Sequence, residues 1–594
     1  MAAICASPFV VGPPDAIDGI IIGKGVLVVV AGALVLGVGL AAAGRSQELK
    51  FGRDPAVVAA GLFVATFVVA TGLAPNPALA ISGDLTRWNG LALYAACAVL
   101  FVAAGTRFSR DNADVAVRAL VLAGALLGAL AVAEYLGLHE FGGSDVTGAR
   151  ATLGNPNVLA GWLAIALPVC LLVALDPRQD PLWRQIGGGA AALAVLGTFA
   201  SGSLQGPLAG AAGSSIVVLA WMADRRPRGQ VRLAAIGTLT LAIMFLVVGA
   251  FGTQGHGPLS ALGDQAGVQQ RGYYWQAAVS MAQESPVTGV GPGHFEENYR
   301  QHRPVEEVLG KSLQHSADSA HSVPLDMAAA GGLPLLAAYV GWLALVAWRL
   351  WVGLRSTDGG TRLLLAGIGG GWLAYVAQSL VSIDVPPLAV LGWVFGGLVI
   401  GVAGVGEMWR IGVPWASEQR PDQSASRWVS DLGAVALVAV AAWFAFLPLR
   451  ADAGAIQGEL TPSGEIDPSS GVVQAARIAD WEPAFGMQLL RAYIVTDNSA
   501  AAQEVGEALV ERHPQSFDAA LSTARLAVEN GDLGVATRLY QHTLELEPSH
   551  PDVLLEVATH ARDVEDFEWA RSLIERVLST VPGHPEASAL EATL

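Results

Sequence analysis

The sequence predicts an all-α fold, in which a polytopic bundle of membrane helices is followed by a smaller helical repeat domain. Two observations lead to the membrane part of this prediction. The chain is 53% hydrophobic and only 14% charged, which is too apolar for an ordinary soluble protein. Apolar runs of about 20 residues, the length that crosses the hydrocarbon core as a helix, recur along much of the chain.

Twelve such runs are found. They lie near residues 25–43, 55–74, 88–105, 117–136, 158–175, 186–202, 207–222, 233–252, 334–352, 363–381, 387–405 and 432–449. Together they define a membrane domain over residues 25–449, preceded by an N-terminal segment at 1–24. The 70 glycines of the chain fit this domain, because small residues allow membrane helices to approach closely.

Basic residues fall in alternate connections between the runs, and basic loops remain on the cytoplasmic side of a membrane. These connections contain Arg45, Lys50, Arg53, Arg107, Arg110, Arg178, Arg184, Arg225, Arg226, Arg228, Arg232, Arg355, Arg362, Arg410, Arg420 and Arg427. The connections at 76–87, 139–157, 253–323 and 383–386 are therefore predicted to be extracytoplasmic, as is the chain after Arg450. We expect a multi-pass protein of the plasma (inner) membrane.

The C-terminal region has a period of 34 residues. The positions that repeat are Ala502, Ala536 and Ala570, and also Pro514, Pro548 and Pro582. In tetratricopeptide repeats small residues let paired helices approach, and proline ends the second helix of each pair. We predict a linker at 450–480 and tetratricopeptide repeats at 481–594, which could form a rigid spacer or a docking surface for a protein partner.

Charge and cysteine usage exclude other classes. From Arg450 to the end the chain has 9 Arg and 24 Asp plus Glu, so −15 of the net charge of −17 lies there. The membrane domain is close to neutral, and nothing predicts nucleic-acid binding. Cys5, Cys97 and Cys170 show no metal or redox spacing, so a disulfide framework is not expected.

The long polar loop at 253–323 contains the candidate catalytic residues. Loops of this length are functional or disordered, and the aromatic residues of this one favour a folded cap over a site in the membrane. Arg271 opens a predicted surface helix, with Trp275 and the tyrosines at headgroup depth, and could hold a phosphate or anchor the loop. His321, where the loop re-enters the membrane, could be a general base or a histidine hydrogen-bonded at a helix start. His315 is six residues earlier, a spacing that does not stack the two on one helical face, so no metal site is expected.

A third segment precedes the run at 158–175. Asn155 begins an Asn-Pro-Asn turn, which ordinarily caps the following helix. Arg150 would add a second cation at the same surface as Arg271.

Taken together, these segments resemble the bacterial O-antigen ligase and polymerase superfamily. The likeness lies in Arg150 to Leu159, in Arg271-x-x-x-Trp275, in the run Pro286-x-x-Gly289-x-Gly291-x-Gly293-x-Phe295, and in Ala320-His321-Ser322-x-x-Leu325 followed by Gly331. It covers most of residues 24–405. The family often has an arginine at the start of a membrane helix where this chain reads Ser203-Leu204-Gln205-Gly206.

The resemblance implies a GT-C-type membrane glycosyltransferase. Its donor would be a glycan on a polyprenyl (undecaprenyl) diphosphate, and its acceptor a glycan or protein hydroxyl outside the cytoplasm. Arg271 would hold the diphosphate and His321 would activate the acceptor. The expected substrate-binding residues are Arg150, Asn155, Trp275, Gly291 and Gly293. The expected reaction inverts the anomeric carbon and needs no metal or other cofactor, because arginines can offset the leaving charge.

Two other functions compete with this one. A transporter should place polar residues inside its spans near the midplane, whereas these spans are nearly free of charge. A membrane scaffold that presents the repeats to envelope partners would account for the tail but not for Arg271, His321 and the glycine-rich run.

Overall fold

The computed structural model describes residues 2–12, 17, 19–46, 48–108, 110–138, 148–225, 229, 266–404, 408–412, 423–461 and 466–594. Over these residues the chain is predominantly helical, which confirms the predicted all-α, polytopic membrane fold. The helices described before the long loop are α1 Ala2–Ala6, α2 Ile21–Ser46, α3 Pro55–Leu73, α4 Pro77–Ser82, α5 Leu91–Arg107, α6 Arg110–Tyr135, α7 Pro156–Leu175, α8 Pro181–Ala200 and α9 Gln205–Arg225. Short 3-10 turns at Ser7–Phe9 and Ala151–Leu153 accompany them.

The long loop is folded where it is described, as its aromatic content indicated. It contains α10 Ala266–Glu284, α11 Phe295–His302 and α12 Val305–Gly310. The bundle then resumes with α13 Val323–Ser356, α14 Gly359–Ser379, α15 Pro386–Ala403 and α16 Gln423–Gly454. Strands β1 Glu48–Gly52 and β2 Met408–Gly412 form a small antiparallel pair.

Eleven of the twelve predicted spans fall on described helices, and the run at 233–252 lies outside the described residues. By length and composition, eight described helices are apolar enough to cross a membrane: α2, α3, α6, α7, α9, α13, α15 and α16. The predicted spans on α5, α8 and α14 are helical but fall outside this set, and α5 has only 17 residues. Glycine and polar residues reduce the hydropathy of α8 and α14.

The centre of the bundle is α15, of which 89% of the apolar window is buried, whereas only 17% of α16 is buried. Trp393 of α15 stacks on Trp342 of α13, with ring centroids 4.0 Å apart. Small residues allow the close crossings: a Cβ on Gly213 would lie 2.3 Å from the carbonyl oxygen of Gly370. The long helices therefore meet through aromatic packing at the centre and glycine contacts at the crossings.

Connections with basic residues meet one another at one end of the bundle. In the β1–β2 pair Lys50 lies opposite Arg410, which brings two of the basic connections together. A second contact joins Arg362 and Asp224, with Nη1 to Oδ1 at 2.7 Å. The connections predicted to be extracytoplasmic also contact one another. The backbone N–H of Asn76, in the connection at 76–87, donates to Nε2 of His294 in the long loop at 3.2 Å.

The glycine-rich run of the loop lies against a break in α13. Gly331 and Gly332 have non-helical backbone angles, and Gly332 has a φ of +66°. Val290 N–H donates to Ala329 O at 2.8 Å, and Leu333 N–H donates to Pro286 O at 2.8 Å. Because the break frees backbone groups in α13, the run and the helix satisfy each other's hydrogen bonds.

The C-terminal region forms helix pairs that follow the 34-residue period. Its helices are α17 Gly471–Ile478, α18 Pro483–Val495, α19 Ser499–Arg512, α20 Phe517–Glu529, α21 Leu533–Leu546, α22 Pro551–Asp563, α23 Phe567–Thr580 and α24 Pro585–Glu591. Ala502, Ala536 and Ala570 are fully buried between them. The side chains of Asn498, Asp532 and Asp566, also 34 residues apart, cap α19, α21 and α23. We call α18 to α24 the C-terminal array; α17 lies within the predicted linker.

Candidate functional site

The site is built around a stack of two rings in the long loop. Tyr274 of α10 lies over the imidazole of His321, with centroids 5.3 Å apart and ring planes inclined by 24°. His321 directly precedes the N-cap of α13 and has a φ of +51°, a left-handed conformation that is uncommon outside glycine. The backbone N–H of His321 donates to Ser319 Oγ at 3.2 Å. The loop therefore fixes the histidine backbone in an unusual turn beneath Tyr274.

Arg271 lies one helical turn before Tyr274. It is close enough to His321 for its charge to lower the pKa of the imidazole, so the structure brings the two predicted catalytic residues together. Among the described residues Arg271 has no ion-pair partner, and burial lowers the pKa of its guanidinium. The prediction that Arg271 opens its helix is wrong, since α10 begins at Ala266. A half-buried cation without an ion-pair partner suits the binding of an anion.

A second arginine at the site was missed by the sequence reasoning. Arg87, in the connection between α4 and α5, forms an ion pair with Asp318 that is largely shielded from solvent. Thr86 Oγ1 donates to the other oxygen of Asp318 at 2.9 Å. The sequence did contain a signal for Arg87, because this arginine lies in the connection at 76–87, which is predicted to be on the same side of the membrane as the long loop.

The imidazole of His321 is held neutral by its surroundings. Burial, followed by the charge of Arg87, lowers its pKa to about 4; Arg271 acts in the same direction and Asp318 opposes both. Burial raises the pKa of Asp318 as well, but the Arg87 charge and hydrogen bonds outweigh it, so the pKa of Asp318 is lowered. At neutral pH the site therefore contains a neutral imidazole, a carboxylate and two arginines. A neutral imidazole has one ring nitrogen free to accept a proton.

The glycine-rich run borders a small cavity beside these residues. The cavity, of about 30 Å³, is lined by Asp84, Asp318, Asp326 and the Gly291–Gly293 turn. Both of those glycines have positive φ, +104° and +78°, so they are needed for the turn itself. Their predicted contact with substrate remains a prediction.

Aromatic residues of α10 point in different directions. Tyr274 is buried with Ala277, Ala278 and Met281 in the hydrophobic core of the loop. Packing within the loop covers the Tyr274 ring, and the expected position of the tyrosines at headgroup depth stays a prediction. Trp275 is 37% exposed, so it is open to a ligand or to lipid, and its role in binding remains a prediction.

The Arg150 segment is tied to other parts of the bundle. The backbone N–H groups of Arg150 and Ala151 donate to Glu134 Oε2 at 2.9 and 2.6 Å. The cations that lower the pKa of His321 are Arg87 and Arg271, and Arg150 is not among them. Asn155 caps α7 by accepting from the N–H groups of Asn157 and Val158, which is the ordinary role of such a residue. A direct role for either residue in binding remains a prediction.

Gln205 lies in the stretch Ser203-Leu204-Gln205-Gly206, in which the resemblance led us to expect an arginine. Its Nε2 donates to Ser382 Oγ at 2.9 Å and to Asn157 O at 3.2 Å, so it joins the start of α9 to α7 and to the α14–α15 connection. Ser203 Oγ donates to Asn157 Oδ1 at 2.7 Å beside it. The glutamine serves as a neutral structural link at this position. In the part of the chain that the structure describes, no three His, Cys, Asp or Glu side chains are arranged to hold a metal ion.

Fold and site together define a polytopic helical membrane protein with a folded polar loop over the bundle and an arginine- and histidine-containing site within it. Residues 189–340 match the family model described as O-Antigen ligase. The matched region runs from within α8 into α13, so it includes Arg271, Trp275, the glycine-rich run and His321. The match confirms the resemblance to the O-antigen ligase and polymerase superfamily and supports a membrane role in glycan ligation or polymerisation. No curated protein matches the chain.

Proposed function

We propose that this protein is a membrane glycosyltransferase that moves a glycan from a polyprenyl (undecaprenyl) diphosphate to a glycan or protein hydroxyl outside the cytoplasm. The observation that carries this proposal is a neutral His321 flanked by Arg87 and Arg271, inside the region that matches O-Antigen ligase. The chemistry of lipid-linked glycan transfer needs a proton acceptor and an anion site side by side, and this pairing supplies both.

The reaction is a single displacement at the anomeric carbon. The acceptor oxygen forms a bond to that carbon while its proton passes to the neutral imidazole of His321. The bond from the carbon to the diphosphate oxygen breaks, and the electron pair leaves with the diphosphate. Arg271 and Arg87 offset the charge that develops on the leaving group, and attack opposite to it inverts the configuration.

The two arginines also link donor binding to proton transfer. A histidine with a pKa of about 4 is a weak proton acceptor at neutral pH, and part of that lowering comes from the arginines. A bound diphosphate brings negative charge to the same place, so it raises the pKa of His321 towards its ordinary value. His321 thus becomes an effective base when the donor is present.

The orientation and the C-terminal array complete the proposal. The pairing of two basic connections through β1 and β2 supports a cytoplasmic position for that end of the bundle. We propose that the long loop and the array lie outside the cytoplasm. Helix pairs with buried alanines and a 34-residue period support the assignment of the array as tetratricopeptide repeats.

The test is glycan transfer by the purified full-length protein from a polyprenyl diphosphate-linked glycan to an acceptor hydroxyl. We expect His321→Ala to abolish transfer, and His302→Ala, in the same loop, to retain it. Loss of transfer while His321→Ala accumulates normally in the membrane supports the proposal, and full activity of that variant contradicts it.

Gene deletion distinguishes the competing functions. Shortened surface chains indicate polymerisation, and full-length chains retained on the lipid carrier indicate ligation. Unchanged polysaccharide with loss of an envelope assembly would instead support the scaffold that presents the array to partners.

A further inference from the structure

The C-terminal array is joined to the long loop by a buried ion pair. Arg303, just after α11, is paired with Glu547, which follows α21, and neither side chain is exposed to solvent. Arg300 lies over the ring of Phe517 at 4.2 Å, and Leu313 of the loop is buried in the hydrophobic cluster of the array. A buried ion pair is costly to form unless its geometry is well satisfied, so this contact differs in kind from the exposed pairs of the array.

Arg303 connects this ion pair to a hydrogen-bonded network in the loop. Its Nη1 donates to the backbone oxygen of His315 at 3.2 Å. The His315 ring accepts from Gln270 Nε2 at 2.7 Å and lies 3.3 Å from Glu307 Oε1. Glu307 is itself buried, so its remaining capacity for hydrogen bonds must be met inside the loop.

The network ends at the ring stack of the site. The hydroxyl of Tyr299 donates to Glu307, and the Tyr299 ring meets Tyr274 edge to face at 5.6 Å. Tyr274 also lies nearly parallel to the ring of His315, at 6.4 Å, and to that of His321, at 5.3 Å. A continuous series of contacts thus runs from Glu547 in the array to His321.

We propose that Glu547 is a positioning residue for the transfer reaction: through Arg303 it holds the 299–315 part of the loop, and so the Tyr274–His321 stack, in the reactive arrangement. The proposal rests on the proposed function. It also gives the array a partner within the same chain, namely the loop that covers the site.

The experiment compares Glu547→Leu, Arg303→Met and the double variant in the full-length protein. Each single change leaves one buried charge without its partner, so we expect kcat to fall roughly 10- to 100-fold as the stack loosens. The double variant leaves no unpaired buried charge but also lacks the hydrogen bond from Arg303 to the His315 backbone oxygen, so we expect its kcat to stay low. Recovery of kcat in the double variant would mean that the single variants fail only through an unpaired buried charge, and would overturn the positioning role. Arg512→Met is the matched control, since Arg512 pairs with Asp480 at 2.7 Å but is exposed, and should retain full activity.

The pH dependence separates positioning from simple loss of folded protein. If the stack loosens, His321 gains water and the acid limb of kcat/KM moves to higher pH in both single variants. A loss that is equal at every pH, or no loss at all, overturns the proposal. Should Glu547→Leu fail to accumulate, Glu547→Asp keeps the buried charge but draws the carboxylate back by one methylene, and the same criteria apply. Inactive His321→Ala with fully active Glu547→Leu refutes only the positioning role, whereas active His321→Ala refutes the proposed function.

Discussion

The ring of Tyr274 lies over the imidazole of His321 at 5.3 Å, which joins α10 to the start of α13. This contact brings the arginine-containing motif of the loop to its histidine motif. The backbone of His321 is left-handed, so the ring position depends on the surrounding packing as well as on the local sequence. Mutations around the stack therefore test the site directly.

Two substitutions of Tyr274 should distinguish the contribution of its ring to the transfer rate from that of its hydroxyl. Tyr274→Phe keeps the stack and should retain most of the transfer rate. Tyr274→Leu removes the aromatic surface that orients His321, so we expect kcat to fall roughly 10- to 100-fold. Rates measured with purified protein check this prediction, and equal rates for the two variants would contradict it.

Substitutions of Arg271 and of Arg87 should have different effects on the site. We expect Arg271→Ala to lower kcat by roughly 10²- to 10³-fold, because a charge-stabilising donor is lost from the transition state. Arg271→Lys should recover only part of the rate, since lysine lacks the paired donors that grip a phosphate. Arg87→Ala should lower the rate and also leave Asp318 without its ion-pair partner. Arg491→Ala, an exposed arginine of α18, is the control and should behave like the unmodified protein.

The rate should decline only in strongly acidic solution. With a pKa of about 4, His321 is neutral in the free protein at all higher pH values. The midpoint of the acid limb of kcat/KM should therefore lie well below pH 6.5. The contribution of His321 to the stability of the folded protein also depends on pH. Its folded pKa lies below the unfolded value of 6.5, so its contribution is present above pH 6.5 and is lost as pH falls towards 4. An acid limb centred at or above pH 6.5 would contradict this assignment.

Glu297 should give the opposite pH dependence of stability. Burial, with a smaller effect of Asp84, raises its pKa to about 7. Its folded pKa lies above the unfolded value of 4.5, so its favourable contribution is complete below pH 4.5 and is lost as pH rises through 7. Glu297→Gln should therefore raise the unfolding temperature by a few degrees at pH 8 and have little effect at pH 5. Glu586→Gln, at an exposed position of α24, should change neither temperature.

The break in α13 should require glycine. A Cβ on Gly332 would lie 2.5 Å from Pro286 O, and the residue has a φ of +66°. Gly332→Ala should destabilise the protein by about 1–3 kcal/mol and displace the glycine-rich run. Gly341→Ala in the same helix meets open space and should be neutral. Unfolding temperatures in detergent provide the comparison, and equal values for the two variants would argue against the strained turn.

Local pattern was sufficient for the helices and for the two motifs of the site. Apolar runs placed the helices of the bundle because a membrane segment must satisfy its own backbone, whatever packs around it. The 34-residue period likewise located the helix pairs of the array, since each pair repeats the same local packing. The orientation of Tyr274 was not predictable in this way, because helical spacing shows which residues share a face but not what covers that face.

The sequence by itself determined the class of this protein, its helical spans within the described residues, and the two segments that supply Arg271 and His321. Only the tertiary structure decided that Arg87 joins them from the α4–α5 connection, and that Glu547 reaches Arg303 from the array. Both are contacts between segments far apart in the chain, and side-chain periodicity carries no information about such pairs. Electrostatic neighbours of this kind act through space, so their effect on His321 exists only once the chain is folded.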